Sequence, residues 1–224
     1  MTYALMSSAG KDCTLALDRA LRQGLDIGYV INTYDRETGR VAFHGTRREM
    51  VETYIRHLNL EPLQFASGGE PYEETFQQLL RDVKSRGITG LVFGNIHLSD
   101  VRAWYEDRVT AAGLEHIEPI WGEQPADLIR ESVDLGYRSL IISVDLERGA
   151  AQLLGNEINK ALIDAMSRIP NLDPCGERGE YHSFVFDGPL FQSPVPFERG
   201  GTFESHNHKL LDLIPATDQA AVAR

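Results

Sequence analysis

The sequence predicts an α/β protein, a mainly parallel sheet of the Rossmann-like kind with a small C-terminal α+β lobe. Over residues 1–145 short apolar runs alternate with longer amphipathic ones, the order in which β-α units feed a parallel sheet. From residue 173 onward the helical period is gone, and Gly, Pro, Phe and Asp crowd together. The chain has 224 residues, 42% apolar and 25% charged, which suits one large domain or one with an appendage. That composition excludes disordered, collagen-like and fibrous chains.

Residues 3–7 read as the first strand and 14–22 as a helix, in which Leu15, Ala16, Leu17, Ala20 and Leu21 recur at helical spacing. A second strand is expected at 27–33, then a helix at 46–58 with Met50, Val51, Tyr54, Ile55 and Leu58 on one stripe. A short strand at 63–66 follows Pro62, with a helix at 72–85. The strand at 88–93 ends at Gly94, and the helix at 100–112 has Asp100 placed as its cap. A helix at 124–135 and a strand at 140–144 complete five units. One more helical segment, 156–166, leads to an alternating strand at 181–186 and short β or turn segments at 191–196 and 201–205. The expected division is a body over 1–145, a smaller lobe over 146–210 and a mobile tail over 211–224.

The formal charge is −11, with 22 basic and 33 acidic residues, which opposes docking on nucleic-acid phosphates or anionic membranes. Two cysteines, Cys13 and Cys175, make no disulfide framework and no paired metal spacing, so a reducing cytoplasm is the expected location. Charged residues at Lys11, Asp12, Asp18, Arg19 and Arg22 break any apolar signal region, and no run approaches the ~18 apolar residues needed to span a bilayer. His206 and His208 lie two apart with no third ligand placed, which argues against a metal there.

Ser7, Ser8, Ala9, Gly10, Lys11, Asp12, Cys13 and Thr14 stand between the first strand and the first helix. Small residues turn backbone amides toward a ligand, a helix N-terminus adds partial positive charge, and hydroxyls add donors; together these are the parts of an anion cradle. The spacing fits neither the Walker loop nor the three-glycine dinucleotide fingerprint. A plain polar turn capped by Asp12, with Cys13 a small buried hydrophobe, stands as one alternative. A Cys13 nucleophile activated by Lys11 and the helix N-terminus is another.

Ser8-Ala9-Gly10-Lys11-Asp12-Cys13 resembles the Ser-Gly-Gly-Lys-Asp-Ser loop of the PP-loop ATP pyrophosphatases, which have a HUP-like fold. The resemblance implies ATP as substrate, with Ser7, Ser8, Ala9, Gly10, Lys11, Asp12 and Cys13 at its phosphates, Thr33 and Gly94 also at ATP, and Asp12 placing Mg²⁺. Ala9 stands where the family has glycine, and Cys13, whose thiol is a weaker donor than a hydroxyl, stands where it has serine. A second motif, Gly176-Glu177-Arg178-Gly179-Glu180-Tyr181-His182, resembles the Gly-Glu-x-Gly-Glu-Tyr-His segment of the diphthine–ammonia ligase family. With Trp121-Gly122 and Leu154-Gly155-Asn156-Glu157 the likeness covers roughly residues 3–192.

That family implies adenylation of a carboxylate by ATP and displacement of AMP by ammonia, with Lys11, Asp12, Glu177, Glu180 and His182 as catalytic residues. Glu177 and Glu180 would orient an ammonium ion or cationic head and His182 would manage a proton, unless the two carboxylates simply pair with Arg178 or nearby bases in a structural turn. Gly176 and Gly179 bring backbone close to the substrate. Asn95, His97, Asp100 and Arg102 lie where diphthamide-type members carry Gly-Ala-x-x-Ser-x-Tyr-Gln-x-x-Arg; the Tyr-Gln is absent here, as in the family's less characterised members. These four, at the carboxyl end of a parallel strand, are substrate-binding candidates. His44, Arg47 and Arg48 gather positive charge for a phosphate or carboxylate clamp, or form a structural face paired with Glu52. The acceptor would be a diphthine-bearing protein or a small carboxylate metabolite of cobalamin-type cofactor metabolism, and the protein a possible homodimer. RNA thiolation and a non-catalytic ATP-binding module are the competing readings.

Overall fold

The computed structural model describes residues 1–148 and 151–216. The body is β1 (Thr2–Met6), α1 (Lys11–Arg22), β2 (Asp26–Asp35), α2 (Arg48–His57), β3 (Glu61–Ser67), α3 (Tyr72–Ser85), β4 (Ile88–Val92), α4 (Ser99–Ala111) and β5 (Glu115–Ile117). All pairings in this sheet are parallel, in the order β3-β2-β1-β4-β5. The order reverses between β1 and β4, and such a switch point opens a crevice at the carboxyl ends of the strands. Ala4 and Leu5 on β1 are fully buried, as expected of a central strand covered on both faces. One face carries Leu15, Leu17, Met50 and Tyr54 from α1 and α2, and the other carries Phe76, Leu79, Leu80 and Val83 from α3.

The chain continues through α5 (Pro125–Asp134), β6 (Arg138–Asp145), a short 3₁₀ turn (Ala151–Leu153) and α6 (Lys160–Met166). It ends with β7 (Tyr181–Asp187), β8 (Phe197–Ser205) and β9 (His208–Pro215). β6 does not extend the parallel sheet. It pairs antiparallel with β7 and β9 in a second sheet of order β7-β6-β9-β8, so the expected division at residue 145 falls inside that sheet's chain segment rather than before it. The missing parallel neighbour is β5, three residues whose apolar content is too small to register as a strand pattern. Asp100 is not the cap of α4: Leu98 holds that position without a side-chain bond, and Asp100 sits exposed in the first turn. The 156–166 helix begins only at Lys160, where Asn159 accepts from the Leu162 amide at 2.9 Å. The expected mobile tail starts too early, because residues 211–215 belong to β9 and pair with β8; residues 217–224 lie outside the described residues.

The lobe is bonded to the body rather than tethered to it. Val185 on β7 donates its amide to the Ala9 carbonyl at 2.9 Å. Asp212 on β9 takes Arg40 at 2.9 Å and a two-pronged contact from Arg47, at 3.0 and 2.7 Å. Tyr181 and Phe184 of β7 share one buried cluster with Leu15 and Tyr54 of the body. Among the described residues no helix is long and apolar enough to cross a membrane.

Candidate active site

A cleft of about 300 Å³ opens at the switch point, walled by the turns after β1, β2 and β4 and roofed by β7 and the loop before it. That volume is at the lower end of small-molecule sites. The β1–α1 turn forms its floor. Gly10 is the N-cap of α1 and offers no side-chain cap, and the Lys11 amide goes to the Ser183 hydroxyl at 3.3 Å. Among the described residues nothing takes the amides of Asp12 and Cys13, the unpaired N–H groups that make a helix N-terminus attractive to phosphate. Ala9 adopts φ 64°, the left-handed region where the related loop has glycine. The Cβ there costs on the order of 1 kcal/mol. A buried setting and the Val185 bond to its carbonyl hold it in place.

Gly94 closes the other side of the switch point. A Cβ on it would lie 2.6 Å from the Cys13 nitrogen and 2.7 Å from the Cys13 Cα, so only glycine lets β4 approach the head of α1 this closely. Cys13 itself turns its thiol back to the Gly10 carbonyl at 3.3 Å.

Lys11 is 4% exposed. Its ammonium bonds Asp12 Oδ2 at 2.8 Å and the Cys175 carbonyl, and lies 5.0 Å from the centre of the Tyr181 ring. Burial alone would lower its pKa, but the Asp12 charge and the surrounding groups reverse this and hold Lys11 well above its ordinary value. Glu177 faces the same space, accepting from the Ile96 amide at 3.4 Å. Burial first, then the Asp12 charge, push its carboxyl up to about 7. Burial likewise raises the Cys175 thiol, which donates to the Pro125 carbonyl at 3.2 Å and is therefore no nucleophile.

Of the other residues expected at the site, Ser7, Ser8, Gly10, Thr33, His44, Gly94, Asn95, Gly176 and His182 line the cleft. His44 and His182 stack at 4.3 Å, and His208 lies 5.8 Å from His182. Burial, and then neighbouring positive groups, hold His44 down to about 3 and His182 well below its ordinary value, so both are neutral donors or acceptors rather than acids at neutral pH.

Several candidates stand elsewhere. Glu180 is 2% exposed and accepts from the amides of Asp173 at 3.0 Å and Arg178 at 3.1 Å, so its carboxylate folds the 173–180 loop instead of entering the cleft. Gly179 does not line the cleft; its carbonyl faces His208 at 3.3 Å. Arg47 is taken by Asp212, and Arg48 pairs with Glu49 at 3.1 Å over the Tyr34 ring on the exposed side. His97 contacts Asp173 at 3.5 Å, Asp100 is exposed, and Arg102 lies between Glu106 and Glu118 on the Trp121 ring.

Sequence reasoning missed the apolar lining of the cleft: Met6, Ile31, Tyr72, Phe93 and Tyr105. Tyr105 packs 5.0 Å from Phe93, and its hydroxyl is 3.4 Å from that of Tyr72. These residues read as helix and strand core, and only the strand order brings them to one crevice. Ser183, which holds the Lys11 amide, also gave no signal beyond β alternation.

A family model described as the diphthamide synthase N-terminal domain matches residues 1–116, and one described as the diphthamide synthase C-terminal domain matches residues 124–207. The diphthine–ammonia ligase of Rattus norvegicus is 26% identical over 221 residues, covering 87% of this chain and 82% of that protein. That of Homo sapiens is 24% identical over 145 residues, covering 62% and 54%. The U34-tRNA thiolase NcsA from Methanococcus maripaludis overlaps 61% of this chain and 58% of its own, with 14% identity and a TM-score of 0.39, a likeness too slight to carry argument.

Proposed function

The chain belongs to the diphthamide synthase family and is an ATP-dependent ligase, and from that premise we propose that it adenylates a carboxylate and joins ammonia to it. The observation that carries the reading is the arrangement across the cleft. The Ser7 to Asp12 turn at the head of α1 meets the Cys175 to Glu177 loop, with Lys11 bonded to both sides.

A carboxylate resists attack by a nucleophile because it is already negative. Its oxygen first attacks the α-phosphorus of ATP, pyrophosphate leaves, and the acyl adenylate then carries AMP as a good leaving group. In this reading the free amides of α1 and the buried Lys11 charge hold the phosphates, and Met6, Ile31, Tyr72 and Phe93 take the base. The neutral His182 and the roof strand β7 keep water from the adenylate. Glu177, with a carboxyl near 7, accepts a proton from the incoming nitrogen and releases it near neutral pH. Glu180 supports that loop from behind.

Magnesium fits at Asp12. The Asp12 carboxylate lines the cleft beside the phosphate turn, and its charge already raises Glu177, a negative field that a divalent cation offsets. Held by Asp12 and phosphate oxygens, Mg²⁺ would neutralise charge on the departing pyrophosphate. The acceptor we favour is a diphthine-bearing protein, following the name of the relatives, with a small metabolite carboxylate second. Two buried free cysteines suit a reducing cytoplasm.

The test is to incubate the protein with Mg·ATP, ammonium chloride and a diphthine-bearing elongation factor, following AMP, pyrophosphate and amide. Equal AMP and amide are expected. Release of ADP, or ATP binding with no acceptor-dependent AMP, refutes the reading.

A further inference from the structure

We propose that Asn95, locked by Glu118, presents an acceptor oxygen to the cleft that seats the ammonium ion, and that Glu118 is a positioning residue for the nitrogen donor. This rests on the ligase reading and deepens it by naming where the nitrogen waits.

Asn95 follows Gly94 and lines the cleft. Its amide nitrogen donates to Glu118 Oε1 at 2.6 Å, and the Glu118 side chain is 2% exposed. An ionised carboxylate only accepts hydrogen bonds, so the Asn95 amide cannot turn over without setting oxygen against oxygen. Its own oxygen is therefore left on the other side, and among the described residues nothing donates to it. Glu118 faces a cation in turn: Arg102, which donates to Glu106, lies 3.3 Å from Glu118 Oε2 and stacks 4.7 Å from the Trp121 ring. The result is a fixed acceptor in the cleft wall, suited to a ligand with N–H groups.

Position within the cleft favours ammonium over the amino group of adenine. Gly94 packs on the backbone of Asp12 and Cys13, and the next amide after Asn95, that of Ile96, bonds Glu177. Asn95 thus sits at the phosphate end, between the turn that holds the leaving groups and a second acceptor. A tetrahedral ammonium ion can donate to Asn95 Oδ1 and Glu177 together. Asn95 takes no proton. The ion loses one proton before its lone pair attacks the acyl carbon, the bond from that carbon to the AMP oxygen breaks, and the nitrogen sheds a second proton to give the neutral amide.

The experiment uses the full chain with Mg·ATP, the diphthine-bearing elongation factor and a titration of ammonium chloride. Glu118→Gln keeps the shape but can donate to Asn95, freeing its amide to turn its nitrogen toward the cleft. It should raise the KM for ammonium about tenfold while the KM for ATP stays within twofold, the effect of one hydrogen bond reversed. Adding Asn95→Asp to Glu118→Gln exchanges amide and carboxylate across the pair and again leaves an oxygen on the cleft side. This double substitution should restore most of the ammonium KM, which a merely structural role for Glu118 does not predict. An unchanged ammonium KM in Glu118→Gln overturns the proposal, as does a rise confined to the ATP KM, which would assign Asn95 to adenine. No ammonium-dependent product from the unsubstituted protein overturns the ligase reading and this inference with it.

Discussion

Glu177→Gln isolates the energetic cost of the cleft's unbalanced charge. The Glu177 carboxyl rises from an ordinary 4.5 to about 7 in the folded chain. Folding therefore favours its protonated form. This contribution to stability is fully present below about pH 4.5 and is lost as pH rises through 7, where the folded state must ionise a group that the unfolded chain ionises freely. The shift corresponds to about 3 kcal/mol, a ceiling because the residue is partly exposed. Gln is isosteric, can still accept from the Ile96 amide and does not titrate. Urea unfolding without nucleotide should show the variant close to the parent at pH 4.5 and about 2–3 kcal/mol more stable at pH 8. The comparison at each pH cancels every other titration. Equal stabilities at pH 8 would refute the claim that burial and the Asp12 charge hold this carboxyl up, and with it the proton-accepting role. The same variant should lose amide formation while retaining ATP affinity.

Gly94→Ala should lower the urea midpoint by an amount worth about 1–3 kcal/mol and weaken ATP binding at least tenfold by calorimetry, since the new Cβ would lie within 3 Å of the Cys13 backbone. Full ATP affinity in a folded variant would show that the head of α1 is not the phosphate site. Glu180→Ala leaves the Asp173 and Arg178 amides without their acceptor, and unfolding should move by about 2–3 kcal/mol before any catalytic effect is interpretable. A chain with normal stability and no activity would instead return Glu180 to the chemistry.

The body was legible because its signals are local. Helical stripes such as Met50, Val51, Tyr54 and Ile55 and the glycine-ended strand at 88–92 each follow from a period within a dozen residues. The turn between β1 and α1 was legible for the same reason. β6 was misplaced because an apolar run does not say which sheet it joins: Leu140, Ile141 and Ile142 suit a buried antiparallel strand as well as a parallel one. Charged side chains were the least legible. Arg47 looked like a ligand clamp, but Asp212, 165 residues away, supplies its partner. Glu180 looked catalytic because it shares a motif with Glu177, yet loop geometry sends one carboxylate into the cleft and the other into the backbone of its own turn.

The placement of Lys11 ties the lobe to the turn at the head of α1. A lysine free on a phosphate loop would pay rotamer entropy on meeting its ligand, whereas here the Cys175 carbonyl and the Tyr181 ring of the lobe already fix the ammonium beside Asp12. The turn that carries it is also closed by the lobe, through Val185 to Ala9 and Ser183 to Lys11. The strained Ala9 conformation survives on that support, so removing β7 would release the turn as well as the roof. In the proposed reading phosphate binding therefore depends on residues more than 160 positions distant, and the expected division into body and lobe describes the order of the sequence better than the construction of the cleft.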